Sequence, residues 1–511
     1  MPQPSDIRIA KNTAIIYVRM AITILVGLVT SRLTLQVLGA SDIGLYSAVG
    51  SAVALVGVIS GALSVTTVRF MNIEMGKPEG NPNRMFNICH TIHLGGALLV
   101  FLVLETIGLW YINTHLNVPA GKEADAMFVF QVSTFTACLG IANVPFQSLF
   151  NVHEKFGTVA LVDIANTLLK LALVALLYLL RSRPDALRIY AVMMSLGAVV
   201  SFVAYHLMAS RRWREIVRWS WVREKKAYGE VLVFSNYNLL HSSSIIARSQ
   251  GSNILINAFF GTTTNAAYFY AFTLQNYVNQ FVNNFDAASA PQITQHVGSG
   301  ETERATQLAR RSCRICLLLF LLLFLPLMSE LEFLLGLWLG SKIPPETVVM
   351  TRWTLIIAAV STTSAGLAQL INALGRIKWY KIEISVLYLL CLPAGYFLFK
   401  NGAPAWTILL CFVVADFLNR VIQFILLHFQ SGFEVGRFLR HAYLRPALIS
   451  LVMCGYLLLY RTISWNSAWA HVGGFFVTFL VVAALIWAVG LDSEERRKVS
   501  GFVAGKFHKQ K

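Results

Sequence analysis

The chain has 511 residues, of which 56% are hydrophobic and only 13% are charged. This composition cannot supply a water-facing surface for a chain of that length, so it excludes an ordinary soluble enzyme. A net charge of +17 is compatible with a nucleic-acid partner, but most of the basic residues lie between long apolar runs. We therefore expect a membrane protein that binds no nucleic acid.

Apolar runs recur from residue 12 to residue 490. A bilayer core about 30 Å thick is crossed by roughly 20 apolar residues in a helix, and continuous runs such as 315–325 lack the alternation of a barrel strand. We predict an all-α polytopic membrane protein with about 14 transmembrane helices. The predicted spans are 12–37, 42–70, 85–111, 124–149, 158–180, 186–209, 229–259, 264–290, 315–339, 347–373, 382–399, 405–427, 446–460 and 469–490.

Lys and Arg concentrate in every second connection between these spans, which predicts that both termini are cytoplasmic. The densest basic segment is 211–226, where Trp213, Trp219 and Trp221 stand among the charges. That mixture is typical of a loop that contacts membrane lipid. The basic residues of the segment are Arg211, Arg212, Arg214, Arg218, Arg223, Lys225 and Lys226.

The seven cysteines lie in or beside predicted spans and are interpreted as small apolar residues. Cys313 and Cys316 form a CxxC without a second pair at zinc spacing. We expect no metal site, no cofactor and no catalytic residue.

A faint internal repeat relates two predicted hairpins. Gly39 is followed by Tyr46 at the same distance as Gly261 is followed by Tyr268. Repeats of this kind are common in transporters. We predict an N-terminal lobe of six spans, a basic cytoplasmic loop, a second six-span lobe, and two further spans with a basic tail, with the boundaries 1–210, 211–227, 228–430 and 431–511.

Ionisable groups inside spans cost about 2.5 to 3.5 kcal/mol each near the bilayer centre, so they usually face a partner or a hydrated cavity. Four arginines on the first, second and seventh predicted spans are candidates for a cationic substrate-binding cavity. They are Arg19, Arg32, Arg69 and Arg248.

Polar side chains, most of them uncharged, form stripes at helical spacing on the seventh and eighth spans. Amides donate and accept hydrogen bonds, which suits sugar hydroxyls, although hydrogen bonds between helices are the alternative interpretation. The sugar-facing candidates are Asn238, His241, Ser244, Asn276, Asn279, Asn283 and Asp286. Asp163 and Lys170 share a face of the fifth span and form either a local ion pair or an ion-coupling site.

The first hairpin resembles that of bacterial polysaccharide flippases of the multidrug/oligosaccharidyl-lipid/polysaccharide exporter superfamily. The resemblance rests on 12–32, on 38–46 with its Leu-Gly and Gly-x-Tyr pattern, and on 64–74 with Arg69. It implies two lobes around a central cavity that opens alternately to the two sides of a bacterial inner membrane. It also implies a polyprenyl-pyrophosphate-linked glycan as substrate, and polysaccharide assembly enzymes are an expected class of partner.

The predicted function is therefore transport of undecaprenyl-pyrophosphate-linked oligosaccharide, namely an O-antigen, capsule or exopolysaccharide repeat unit. Two alternatives stay open. A multidrug antiporter of the same superfamily would need an anionic or aromatic cavity for organic cations. A membrane glycan polymerase, ligase or glycosyltransferase would need acid and base groups on a sizeable loop, whereas the predicted outer loops are short.

Overall fold

The computed structural model is helical over most of the described chain, and no strand occurs among the described residues. The all-α prediction is therefore confirmed. Side chains at 4–19 and 234–241, among other positions, lie outside the description. The structure describes residues 4–497 and 500, apart from 57, 77–78, 154, 180–184, 375–376, 432, 461 and 463–466.

The α-helices are numbered in chain order: α1 Pro4–Val56, α2 Val58–Gly76, α3 Pro82–Val103, α4 Leu109–Thr114, α5 Glu123–Val152, α6 Phe156–Leu179, α7 Ala186–Arg212, α8 Arg214–Val217, α9 Lys225–Ile246, α10 Ser252–Phe260, α11 Thr262–Gly298, α12 Thr302–Ser329, α13 Leu331–Leu339, α14 Thr347–Thr362, α15 Leu367–Leu374, α16 Ile377–Lys400, α17 Thr407–Ser431, α18 Val435–Ala442, α19 Leu444–Tyr460 and α20 Ala468–Leu485. Shorter elements are the π-helical segments Leu104–Gly108, Ala247–Gly251 and Ile486–Gly490 and the 3-10 helix Gly340–Lys342.

Within the described residues, nine helices are long and apolar enough to cross a membrane, and two bent pairs raise the number to eleven. The exact number of about fourteen stays a prediction. Predicted span one lies in α1, which is kinked at Gly39, and predicted span two comprises the end of α1 and most of α2. Predicted spans seven and eight correspond to α9 with α10 and to α11, whose many Asn and Ser side chains lower their hydropathy.

The described chain forms two compact units. The first unit comprises 1–270, 338–347 and 384–408, and the second comprises the rest of the chain. The predicted lobes, 1–210 and 228–430, are drawn from the repeat pattern and stay a prediction.

The two glycines of the predicted repeat adopt the same backbone conformation. Gly39 has φ 74° and ψ 173°, and Gly261 has φ 80° and ψ −175°. This region of φ and ψ is essentially restricted to glycine. A side chain at either position would therefore strain the turn, which explains why glycine recurs there.

Each unit has its own apolar core. In the first unit, Phe86, Phe150 and Tyr205 bring α3, α5 and α7 together. In the second unit, Phe424 and Phe438 belong to a cluster that includes residues of α12 and α15. Lipid tails are as apolar as these side chains, so within the bilayer the helices are held by close packing and by polar contacts between them.

Candidate transport site

Arg248 lies in the π-helical segment Ala247–Gly251 of the first unit. Single-turn π segments inside helices are frequent at functional sites because the extra residue changes the direction of the side chains. The neighbouring Gly251 packs closely, since a Cβ there would lie 2.9 Å from a methyl group of Leu392. The half-buried Arg248 guanidinium stacks on the ring of Tyr388, with its Cζ 3.8 Å from the ring centroid. The role of Arg248 in substrate binding stays a prediction, and no sequence pattern indicated its contact with Tyr388.

The other predicted arginines lie on α1 and α2 of the same unit. Arg32 is half-buried seven residues before Gly39, a distance of roughly 10 Å along the helix. Arg69 is exposed near the end of α2, and the side chain of Arg19 lies outside the described residues. The first unit thus contains all four arginines, and the three described ones lie on separate helical segments.

The face of α1 next to Arg32 is held by hydrogen bonds. Tyr270 donates its hydroxyl hydrogen to the Ser31 carbonyl at 3.2 Å, and Trp338 Nε1 donates to Ser31 Oγ at 3.1 Å. Trp338 also donates to the Leu28 carbonyl at 2.9 Å. These bonds fix the rotation of α1 and hence the direction in which Arg32 leaves the helix.

The predicted stripe on α9 is described in part. Ser244 is fully buried within the first unit, so it contributes to helix packing there. The side chains of Asn238 and His241 lie outside the described residues.

The amide face of α11 belongs to the second unit and is oriented away from its core. Asn276 and Asn283 are exposed, and Asn279 is half-buried. On the opposite face, Val278 and Val282 are buried. A helix that met lipid here would expose its valines and bury its amides. The observed orientation therefore indicates that the asparagines face water and not lipid.

Asp286 has a different environment from the asparagines of the same helix. Its Oδ1 accepts hydrogen bonds from the Gly366 backbone N–H at 2.7 Å and from Ser312 Oγ at 3.3 Å. Its Oδ2 accepts one from Gln369 Nε2 at 3.1 Å. These bonds connect Asp286 to the break between α14 and α15, and a role of Asp286 in sugar binding stays a prediction.

Two further hydrogen bonds hold Thr363, which lies in the same break. Tyr443 donates its hydroxyl hydrogen to the Thr363 carbonyl at 2.7 Å, and Arg420 Nε donates to Thr363 Oγ1 at 2.9 Å. Backbone groups that leave a helix inside a membrane protein need such partners, because hydrocarbon offers none. Side chains from three other parts of the chain, Asp286, Arg420 and Tyr443, therefore hydrogen-bond to the break and stabilise it.

Asp163 and Lys170 are half-buried on α6. Between them, Asn166 packs against Gly197 of α7, where a Cβ would lie 2.6 Å from Asn166 Oδ1 and 3.2 Å from Lys170 Cε. The glycine leaves the space in which these polar side chains fit. This polar face therefore lies in the packing between α6 and α7, and its role in ion coupling stays a prediction.

Sequence reasoning missed a network of buried asparagines, which joins α1 to α10 and α11. Asn253 Nδ2 donates to Ser47 Oγ at 2.9 Å and to Ser51 Oγ at 2.6 Å. Asn265 Nδ2 donates to the Asn253 carbonyl at 2.7 Å, and Asn257 Nδ2 donates to Asn265 Oδ1 at 3.0 Å. The i, i+4 spacing of Asn253 and Asn257 just before the Gly261 turn was the available signal.

We call this network the asparagine seal, and its members are Asn253, Asn257, Asn265, Ser47 and Ser51. The turns of the two predicted hairpins are in contact beside it. Ser41 Oγ and Thr262 Oγ1 lie 3.2 Å apart. A Cβ at Gly44 would lie only 1.6 Å from the Thr262 carbonyl oxygen. The contact therefore requires glycine, and it lies at the predicted outer end of the first unit.

Several solved structures have a similar fold. A structure of the lipid II flippase MurJ in an inward closed conformation has a TM-score of 0.65 at 13% identity, over 92% of this chain and 98% of that one. An inward-facing MATE family multidrug transporter of the MOP superfamily has a TM-score of 0.61 at 14% identity, over 80% and 97%. A MATE transporter from Vibrio cholerae has a TM-score of 0.56 at 17% identity, over 83% and 98%. At these identities the likeness establishes the fold alone.

The sequence itself gives the family. No curated protein is significantly similar to the chain. The family model described as polysaccharide biosynthesis protein matches residues 9–297, more than half of the chain. That range contains all four predicted arginines and the asparagine seal. The chain therefore belongs to the polysaccharide biosynthesis protein family, and it has the fold of the MOP-superfamily transporters.

Proposed function

We propose that this protein is a flippase that moves undecaprenyl-pyrophosphate-linked oligosaccharide from the cytoplasmic to the periplasmic leaflet of a bacterial inner membrane by alternating access. The observation that carries the proposal is the Arg248 guanidinium, stacked on Tyr388 within a membrane helix. A guanidinium stays charged even where it is half-buried, and it binds phosphate oxygens in pairs. A pyrophosphate is the ligand that best matches such a group.

Each predicted arginine has a proposed stage in transport. Arg19 and Arg69 bind the pyrophosphate on the cytoplasmic side, and Arg248 and Arg32 receive it nearer the periplasm. An inside-negative potential favours outward movement of the anion by about 2.3 kcal/mol per charge per 100 mV. The asparagines of α11 bind the sugars while the polyprenyl tail stays in lipid.

A multidrug antiporter is the second candidate, and it is favoured by the likeness of the fold to MATE transporters. Export of organic cations would need acidic or aromatic side chains along the pathway. Asp286 was the main acidic candidate from the sequence, and its carboxylate oxygens accept hydrogen bonds from Gly366, Ser312 and Gln369. This engagement weakens the antiporter hypothesis.

A membrane glycan polymerase, ligase or glycosyltransferase is the third candidate. The structural neighbours are transporters, and their likeness to this chain supports transport over catalysis. Polysaccharide assembly enzymes then enter as proposed partners that supply the substrate on one side of the membrane and consume it on the other.

Deletion of the gene tests the proposal. We expect a complete lipid-linked repeat unit to accumulate in the cytoplasmic leaflet, because its synthesis is intact and its transport is lost. Accumulation of an incomplete unit, or a glycan with an altered linkage, would instead identify an enzyme. Normal glycan together with increased sensitivity to cationic dyes would favour the antiporter.

A further inference from the structure

Residues 211–226, which we call the basic platform, have a defined structure in the first unit. Trp213, Ile216 and Val217 pack against the apolar core formed by α3, α5 and α7. Asn83 of α3 donates hydrogen bonds to the carbonyls of residues 215, 216 and 218 at 2.9, 2.9 and 2.7 Å. The backbone of the platform is thus fixed by contacts within the first unit.

A second asparagine continues the attachment. Asn87 Nδ2 donates to the Arg218 carbonyl at 3.0 Å, and Asn87 Oδ1 accepts from the Ser220 backbone N–H at 3.1 Å. Arg84 Nε donates to Glu224 Oε1 at 2.9 Å. The chain from Arg218 to Glu224 is therefore held against the end of α3, and its outward side chains keep a constant arrangement.

The arginines of the platform are exposed and make no ion pair with any described residue. Across the described chain, no carboxylate lies within 4.0 Å of a platform arginine, namely Arg211, Arg212, Arg214, Arg218 and Arg223. Of the two platform glutamates, Glu224 already pairs with Arg84. This positive charge attracts anions from outside the chain.

The arginines of α12 in the second unit provide the contrast. Arg310, Arg311 and Arg314 pair with Glu303, Glu495 and Asp492 at 2.8, 2.9 and 2.6 Å. The fold can therefore neutralise arginines where their role is structural. On the platform it leaves five of them exposed.

Two tryptophans identify the kind of anion. Trp219 and Trp221 are 52% and 66% exposed, with their ring centroids 6.4 Å apart. Exposed indoles next to cationic side chains are typical of the headgroup level of a bilayer, where the ring is apolar and the N–H is solvated. The platform also joins α7 to α9, and α7 is a candidate span.

We propose that the basic platform is a preformed binding surface for anionic phospholipid, in the leaflet that the Lys and Arg distribution predicts to be cytoplasmic. The arginines bind headgroup phosphates, and Trp219 and Trp221 lie among the headgroups. The arrangement orients this end of the first unit against the membrane and concentrates anionic lipids there. The inference is independent of the transported substrate.

The test uses the full-length protein in lipid nanodiscs that contain brominated phosphatidylglycerol or brominated phosphatidylcholine. The signal is the difference in fluorescence between the intact chain and W219F/W221F, which isolates these two indoles. One cationic side chain at a surface gives roughly a fivefold preference for an anionic lipid. We expect quenching by the anionic lipid to exceed quenching by the zwitterionic lipid at least about twofold, and to lose this excess when the five arginines become Gln.

The variant N83A/N87A is the control for preorganisation, because it keeps every charge and removes the attachment to α3. We expect it to retain quenching but to lose part of the preference for the anionic lipid. Equal quenching by both lipids in the intact chain would overturn the proposal. So would a platform whose indoles are unquenched by either lipid, or protected by copurifying nucleic acid or an acidic protein.

Discussion

The guanidinium carbon of Arg248 lies 3.8 Å from the centroid of the Tyr388 ring. At this distance the guanidinium carbon lies over the ring, where the ring electrons attract a cation. A ring holds a cation in place without adding a negative charge of its own. A carboxylate at the same place would have made a buried salt bridge and removed the attraction for an anionic substrate.

Substitutions at this pair separate charge from orientation. We expect Arg248→Ala to lower the rate of flipping in proteoliposomes at least about tenfold, because a charge-assisted phosphate contact is lost. Tyr388→Phe keeps the ring and should leave the rate near that of the wild type. Tyr388→Leu removes the stacking and should slow flipping by about fivefold. An Arg248→Ala protein that flips at the wild-type rate would remove Arg248 from the transport pathway.

The close approach at Gly44 predicts which state a larger side chain favours. Gly44→Ala would push the Thr262 carbonyl away and open the predicted outer end, because a Cβ there lies 1.6 Å from that oxygen. We expect faster labelling of a cysteine placed near the asparagine seal by a maleimide that cannot cross membranes. Gly50→Ala on the same helix is the matched control, since a Cβ there meets nothing within 4 Å. Equal labelling of the two variants would contradict the account of outer closure.

The break after α14 predicts a loss of stability at Gly366. This residue has φ +69°, and a Cβ there would lie 2.3 Å from the Ala309 carbonyl oxygen. Gly402 has φ +81° and open space around it, so Gly402→Ala measures the backbone strain alone. We expect Gly366→Ala to lower the Tm in detergent more than Gly402→Ala does. Similar Tm values for both would mean that the break relaxes readily.

The substitution Asp286→Ala distinguishes a structural role of this carboxylate from a role in sugar binding. Loss of its hydrogen bonds to Gly366, Ser312 and Gln369 should cost about 1.5 to 3 kcal/mol of stability, because the acceptor is a carboxylate. Asp286→Ala should therefore lower the Tm and the yield of folded protein. A fully stable Asp286→Ala protein with altered glycan selectivity would instead support the sugar-binding role predicted from the sequence.

The exposed asparagines of α11 should show the opposite pattern. N276A/N283A removes two side chains that point away from the core of the second unit, so we expect little change in Tm. Transport of a lipid-linked oligosaccharide should slow by about fivefold or more, since each lost hydrogen bond to a sugar contributes about 1 kcal/mol. Retained transport together with reduced stability would show that these amides act in helix packing.

Much of the fold was predictable because its signals are local. Apolar length predicted the helices, and the recurrence of glycine and tyrosine predicted two equivalent turns, which Gly39 and Gly261 adopt with matching φ and ψ. Arg248 stood out because an arginine within a long span is costly. Each of these inferences needed only a short stretch of sequence.

Other contacts were not predictable because their partners are distant in the chain. Asp286 continues the spacing of Asn276, Asn279 and Asn283, but unlike them it accepts a hydrogen bond from a backbone N–H that lies 80 residues away in the chain. No motif or spacing in the sequence relates Tyr388 to Arg248. The asparagine seal was not predicted because its members are uncharged. A neutral amide within a span has a smaller free-energy cost than an ion, so its position alone does not indicate a specific partner.

The most direct test of the proposed function is transport by the purified protein in proteoliposomes that contain undecaprenyl-pyrophosphate-linked oligosaccharide in both leaflets. A glycan-cleaving enzyme added outside reports the accessible fraction of the substrate. With the protein present, we predict that cleavage proceeds beyond the outer leaflet to nearly all of the substrate, and that Arg248→Ala slows this second phase. Cleavage that stops at the outer leaflet, as in vesicles without protein, would contradict the proposal that this chain is a flippase for lipid-linked oligosaccharide.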